Sequence, residues 1–442
     1  MRIENARTRR EFLATAATTA MGVHAVSVGQ LNDDVARELA TPVPRLPQPA
    51  VVSDDDPIRI GVIGTGGMGT GHVEALATIG KDGRANVRVA ALADVCRSRL
   101  DEAKTKAEAI QGAGTVDTHY ADYGALLARA DIHGVVVASP EHWHARMAEE
   151  AVAAGKAVYL EKPMTLRLPE ALRLFKLAQA NPQALITVGT QFVMLPSYRK
   201  TRELIAAGAI GKPVWSQTSY CRNSKEGEWL YYAIDPNWRP VENLDWKQWC
   251  GPLGDAPWNP EVYARWRRYR KYSTGIIGDL LVHRITPLIM ALDLGWPTRV
   301  VASGGHYVDK AMENHDQVNI NIEFESGHTM VVAGSTANEV GLETVIRGHR
   351  GNIYLGGRNA VLRPERLYAD EVDEQTIEGE DLGDEQDQLR IHWVNAIRSK
   401  SPSASPVELG AKVMVAVDLA TRSLWEGSAF GFDPRAMRVR KL

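Results

Sequence analysis

The stretch IRIGVIGTGGMGTGHVEAL, which begins at Ile58, constrains this chain more than any other. The apolar run from Ile58 to Ile63 has the length and β-branched content of a buried parallel strand. Gly64-Thr65-Gly66-Gly67-Met68-Gly69 follows, and then an apolar-periodic helix. GxGxxG acquires meaning from that setting, strand before and helix after. Gly64 permits a tight turn, Gly66 lets backbone approach a pyrophosphate, and Gly69 lets helix and strand pack closely. The helix N-terminus presents free N–H groups to phosphate. Gly64, Gly66, Gly67, Met68 and Gly69 are therefore candidate cofactor-binding residues. The second strand, VRVAALADV, reaches Asp94, 25 residues after Gly69. A carboxylate there holds a ribose 2′-hydroxyl and repels a 2′-phosphate. The expected cofactor is NAD, although Arg97 and Arg99 stand close enough to leave NADP open.

The alternation continues. A third strand is expected near VDTHY, a helix over YGALLARA, a fourth strand in IHGVVVASP and a fifth in AVYLEKP. A sixth, ALITVGTQ, follows one more helix. Regular βα units of this size build a doubly wound parallel sheet, whose ligands sit at the carboxyl ends of its strands. Ser139-Pro140 and Glu161-Lys162-Pro163 lie at such ends and join the cofactor candidates. After Pro213 the pattern turns β-rich, and QVNINIEF alternates as a sheet with one solvated face should. Residues 57–187 and 188–442 are read as two domains. The net charge of −3 and the lack of a basic block argue against a nucleic-acid partner. Cys96, Cys221 and Cys250 form neither a disulfide framework nor a metal spacing.

Two stretches, ASPEHWHARMAEEAVAAGKAVYLEKPMT and GTQFVMLPSYRKTRELIAAGAIGKPV, resemble the sugar oxidoreductases grouped with glucose–fructose oxidoreductase, inositol dehydrogenase and the rhizopine protein MocA. The likeness runs over roughly residues 57 to 425, and its most specific part is the EKP tripeptide. It implies an α/β Rossmann domain followed by an α+β domain with an open, mostly antiparallel sheet, closed by a helix returning over PVELGAKVMVAVDLATRSLWEG. It also implies that Lys162 is catalytic: an ammonium beside the nicotinamide can polarise a carbonyl or stabilise a sugar alkoxide. Asp279 and His283, four apart on one expected helix face, look like the family's D-x-x-x-H motif. There the carboxylate would fix the imidazole tautomer, and the imidazole would serve as general base. Many relatives carry another acid soon after this histidine, where this chain has Thr286-Pro287. The resemblance also places His144 near the cofactor. Trp143 either lies against the nicotinamide or packs. His142 and His144 have no third partner in the sequence, so no metal is expected.

From Asn223 to Tyr272 the chain holds six of its eleven Trp and five Tyr, interleaved with cations. Such faces and forks suit a pyranose. Arg265, Trp266, Tyr269 and Tyr272 are the substrate-binding candidates, on an insertion placed where a lid would sit. DWKQWCGP within it resembles a subgroup of exported bacterial proteins. Export is also the reading of the N-terminus. Arg9-Arg10, then an uncharged run from Phe12 to Val28, resemble a twin-arginine signal over residues 1–30. Residues 31–56 read as a linker without period, and no stretch is apolar enough to span a membrane. The expected destination is the periplasm, or the cytoplasm if Arg9-Arg10 is an accidental pair. A protein exported folded must carry its own NAD. The expected activity is therefore hydride transfer from a sugar or glycoside, returned to a second sugar. The alternatives are a redox-neutral hydrolase or lyase working through a transient 3-keto sugar, and a non-enzymatic sugar-binding protein. An intact Lys162, Asp279 and His283 argue against the last. An open sheet of this kind usually finds a second copy, so a homo-oligomer is expected.

Overall fold

The computed structural model describes residues 26–442. The paired arginines and the uncharged run as far as residue 25 lie outside the described residues, while the expected signal bound at 30 falls inside a helix that starts at Val28. The first domain is a six-stranded parallel sheet: β1 (Ile58–Ile63), β2 (Val87–Asp94), β3 (Asp117–Tyr120), β4 (Gly134–Val137), β5 (Ala157–Leu160) and β6 (Ile186–Val188). Its order is β3-β2-β1-β4-β5-β6. The strands are continuous apolar runs because helices cover both faces, and β4 and β5 are buried throughout. The order reverses between β1 and β4, and the crevice at their carboxyl ends is where such sheets bind ligands.

The second domain is a ten-stranded sheet. It contains β7 (Pro213–Cys221), β8 (Pro297–Gly305), β9 (Gln317–Phe324), β10 (Thr329–Ser335), β11 (Thr344–Gly348), β12 (Gly351–Gly356), β13 (Asn359–Pro364), β14 (Gln375–Ile377), β15 (Phe430–Asp433) and β16 (Arg438–Lys441). The order is β14-β13-β12-β11-β7-β10-β9-β8-β15-β16. Every neighbouring pair is antiparallel except β7 and β10. In β9 Val318, Ile320, Ile322 and Phe324 point inward while Asn319 and Asn321 face out. The inner face is covered by the helices Val282–Leu292 and Val407–Glu426, and the latter also reaches the helix Leu168–Ala180 of the first domain. A helix absent from the sequence reading, Glu385–Ser399, lies over the first sheet. Its fully buried Trp393 occupies the space a side chain at Gly134 would need, with a Cβ there only 2.9 Å from the indole.

Residues 31–56 are not a linker. Val28–Ala40 is a helix capped by Ser27, and it buries Leu31 and Val35 against the helix Leu168–Ala180. These apolar residues are one turn apart among charged neighbours, which hid the period. Asn32 exchanges hydrogen bonds with the Val439 backbone, at 2.8 and 2.9 Å, and Arg422 donates to the Val26 carbonyl. Farther on, the Leu46 N–H donates to Asn181. The segment is thus a strap tied to both domains. No helix among the described residues is long and apolar enough to cross a membrane.

Candidate active site

The glycine loop has the shape its chemistry requires. Gly64 sits at φ +87°, where a side chain is strained, and a Cβ there would lie 2.7 Å from the Ser139 nitrogen. A Cβ at Gly69 would lie 1.7 Å from the Gly64 carbonyl, so only glycine lets the helix start this close to the strand. Gly67 instead leaves open space, with nothing within 4 Å of a Cβ, and a Cβ at Gly66 would meet only the end of Arg99, at 3.6 Å. The helix Gly67–Lys81 begins without a side-chain cap, so its first N–H groups stay available to an anion. Asp94 braces the loop. Its carboxylate accepts from the Thr65 N–H at 2.5 Å and from the Cys96 N–H at 2.7 Å.

A cavity of about 320 Å³ runs from this loop past Asp94, Ser139, Pro140 and Trp143 to Arg267. Its other wall is the aromatic insertion, through Tyr232, Gln248, Trp249, Tyr263 and Trp266. The insertion is fastened to the end of β2, where Arg97 N–H donates to the Asn243 carbonyl and Asp245 N–H to the Val95 carbonyl. Trp238, Trp246, Trp249, Tyr263 and Tyr272 make a second small core over Cys96. Buried polar atoms without protein partners cluster at the cavity: Ser139 Oγ, Gln248 Oε1 and Tyr263 OH. An open glycine loop, an uncapped helix start, a carboxylate at the end of β2 and unsatisfied polar atoms are the donor set a dinucleotide needs, so the residues present fit NAD.

Lys162 and Asp279 pair behind the cavity wall, which they reach through Arg267; neither they nor His283 line it. Lys162 Nζ donates to Asp279 Oδ1 and to the Asp279 carbonyl, both at 2.9 Å. Arg267 Nε donates to the same Oδ1 at 2.8 Å, and Arg267 lines the cavity. Burial alone would raise the Asp279 carboxyl, but Lys162 and Arg267 outweigh it and hold it well below the usual carboxylate range. The expectation that Asp279 fixes the His283 tautomer fails. The chain forms a π turn over Ile277–Leu281 before the helix Val282–Leu292, which breaks the regular spacing. Two cations also compete for the carboxylate more strongly than a neutral imidazole does. His283 lies instead between the rings of Phe192 and Tyr220, with Nδ1 buried and unpartnered. Burial, then Lys162, pushes His283 down to about 3, so the ring is neutral at pH 7 and only weakly basic.

Two cofactor candidates act beneath the cavity rather than in its wall. Glu161 Oε1 accepts from His72 Nε2 at 2.8 Å, and Oε2 accepts from the Lys162 N–H. Arg390 donates to His72 Nδ1, which leaves Nε2 as the protonated ring nitrogen and completes a buried chain behind Lys162. His144 sits between the Pro163 and Ser139 carbonyls, its ring nitrogens 2.8 and 2.9 Å from them at the ends of β5 and β4, and the neutral ring donates to one of the two. Trp143 donates to the Trp249 carbonyl and forms part of the wall.

Among the substrate candidates only Trp266 reaches the cavity wall. Arg265 is held by Glu261 and by the Leu230 and Tyr232 carbonyls, and Tyr272 packs on Trp249 and His142. Tyr269 packs against the insertion core. The residues the sequence reading passed over are Arg267, Tyr232 and Glu141. Glu141 is buried, accepts from Ser273 Oγ at 2.7 Å and leaves Oε2 unpartnered.

Two family models match the chain, together over well more than half its length. Residues 58–190 match "Oxidoreductase family, NAD-binding Rossmann fold", and residues 198–354 match the GFO/IDH/MocA C-terminal domain. Inositol 2-dehydrogenase 1 of Saccharopolyspora erythraea is 36% identical over 157 residues, 36% of this chain and 44% of that protein. Its inositol 2-dehydrogenase 3 is 30% identical over 43% of this chain and 53% of its own length. The chain thus spans about half the length of these curated relatives. Inositol 2-dehydrogenase of Rhizobium meliloti is 26% identical over 295 residues, 66% of this chain and 73% of that protein. Among solved structures, an NAD-binding oxidoreductase from Klebsiella pneumoniae superposes with a TM-score of 0.64 at 21% identity, covering 84% of this chain and 98% of that one. A levoglucosan dehydrogenase in complex with NADH gives 0.64 at 19% identity, over 85% and 98%.

Proposed function

Because the chain belongs to the Gfo/Idh/MocA oxidoreductase family, we propose that it oxidises a hydroxyl of a sugar, cyclitol or glycoside with NAD as its hydride acceptor. The observation that carries this reading is the Lys162–Asp279 pair joined through Arg267 to the glycine-loop cavity. Lys162 is pinned on Asp279, with a neutral His283 close by. NAD, when bound, supplies a carbon that takes a hydride from a carbinol. The chain supplies the rest. His283 takes the hydroxyl proton, a step that its lowered basicity makes uphill until hydride leaves, and Lys162 turns an N–H to the developing alkoxide. Asp279 holds that ammonium in place, and the His72–Glu161 pair anchors the backbone beneath it.

The insertion supports a retained cofactor. It walls the cavity and is bonded to the end of β2, so a nucleotide held there is enclosed. We assign to this enzyme a cycle in which the hydride is returned to a second sugar, and export by the twin-arginine route with NAD already bound. The solvated face of the ten-stranded sheet, with Val214 and Val301 exposed, is assigned to a second copy of the chain. The test is mass spectrometry of the nucleotide released from gently unfolded protein, followed by a glycoside screen without added cofactor. Released NAD and a sugar-dependent absorbance of reduced nicotinamide are expected. Protein that neither releases nor binds NAD would overturn the proposal.

A further inference from the structure

Of the cations in the run before the catalytic helix, Arg267 is the one that lines the cavity, and it has no carboxylate to itself. Arg265 has Glu261 at 2.8 Å, and Arg268 has Asp309 at 2.6 Å. Arg267 has no carboxylate of its own, because Asp279 is shared with Lys162 at 2.8 and 2.9 Å. The next acid, Glu141, is hydrogen-bonded to Ser273 and not to Arg267. Burial keeps it largely protonated at neutral pH, so it does not balance the second cation. Arg267 binds Asp279 through Nε alone, and its two Nη groups make no hydrogen bond to the described residues. Its guanidinium lines the cavity 4.1 Å from the Trp266 ring centroid and 6.0 Å from that of Tyr232. A largely buried cation without a full counter-charge is costly, and a guanidinium with both Nη groups free matches a carboxylate in a bidentate pair. The glycine loop already offers phosphates a helix start. Arg267, by contrast, is anchored on the Lys162–Asp279 pair.

Resting on the polyol reading above, we propose that Arg267 selects substrates in which the polyol bears a carboxylate. The class is a sugar acid, ring-borne as in a hexuronate or terminal as in an aldonate, in preference to the neutral sugar.

The test is calorimetric titration of the NAD-loaded protein with glucuronate, gluconate, glucose and methyl glucoside. At least one acid is expected to bind about tenfold tighter than the neutral sugars, the worth of one charge-assisted pair. Glucuronate and gluconate tell the ring-borne acid from the terminal one. Arg267→Met should erase the preference, read as the ratio of acid to neutral-sugar affinity, and Arg267→Lys should keep part of it. Neutral sugars that bind as tightly as both acids would overturn this inference and leave the polyol reading standing. Absence of binding by every sugar and acid would overturn both. An Arg267→Met protein that loses NAD together with the acid would assign the arginine to the cofactor and end the proposal.

Discussion

Glu141 offers a sharp test of the electrostatics at this site. It opens the helix Glu141–Ala153 just past Pro140, almost wholly buried, with Ser273 as its one hydrogen-bond donor. Burial pushes its carboxyl from 4.5 up to about 8 against the pull of Ser273; Asp279 adds to the rise, while Arg267 and Lys162 oppose it. A carboxyl raised on folding binds its proton more tightly in the folded state than in the unfolded chain. Between pH 4.5 and 8 the folded protein therefore carries the more protons, and stability falls as pH rises. At roughly 1.4 kcal/mol per pH unit, the cost is about 1 kcal/mol at pH 5 and about 4 kcal/mol at pH 8. Glu141→Gln keeps an oxygen for Ser273 and never ionises. Urea unfolding of the two proteins at pH 5, 6, 7 and 8, followed by tryptophan fluorescence, isolates the effect, because every other titrating group is shared. The variant should gain on the wild type by roughly 3–4 kcal/mol across that range. Parallel pH profiles would refute the reasoning.

Asp94→Ala removes both the expected ribose contact and the brace on Thr65 and Cys96. NAD affinity should fall by about 1–3 kcal/mol, discrimination against NADP should relax, and thermal stability should drop with them, as titration of both nucleotides and melting curves would show. Lys162→Ala and His283→Ala should each lower turnover by about 10²–10⁴-fold in steady-state assays while bound nucleotide, read by absorbance, stays near normal. Replacing Arg9 and Arg10 by lysine should hold the protein in the cytoplasm on cell fractionation; unchanged distribution would remove the export reading.

The first domain was legible because strands buried on both faces appear as unbroken apolar runs, as in GVVV and AVYL, and because each ends on a turn that sequence can mark. The large sheet was legible where strands alternate, as β9 does. The outer strands β13 to β16 escaped because they run for only three to six residues and, in Arg438–Lys441, are mostly charged. The strap escaped because its apolar stripe is only Leu31 and Val35 among acids and prolines. At the site, residue types were readable and partnerships were not. Arg267 is one of several neighbouring cations, and what sets it apart is that it lines the cavity while sharing Asp279 with Lys162. The four-residue spacing of Asp279 and His283 implied contact on a regular helix, and the π turn removes that regularity.

The central claim is that hydride leaves a sugar carbon for NAD held by this chain and is then handed to a second sugar. A glycoside deuterated at the oxidised carbon, incubated with the protein as isolated and a keto-sugar, without added nucleotide, tests it directly by mass spectrometry of the products. Deuterium on the reduced keto-sugar, over many turnovers, is the predicted result. Deuterium retained at its original carbon while free sugar accumulates would contradict it and establish a redox-neutral hydrolase.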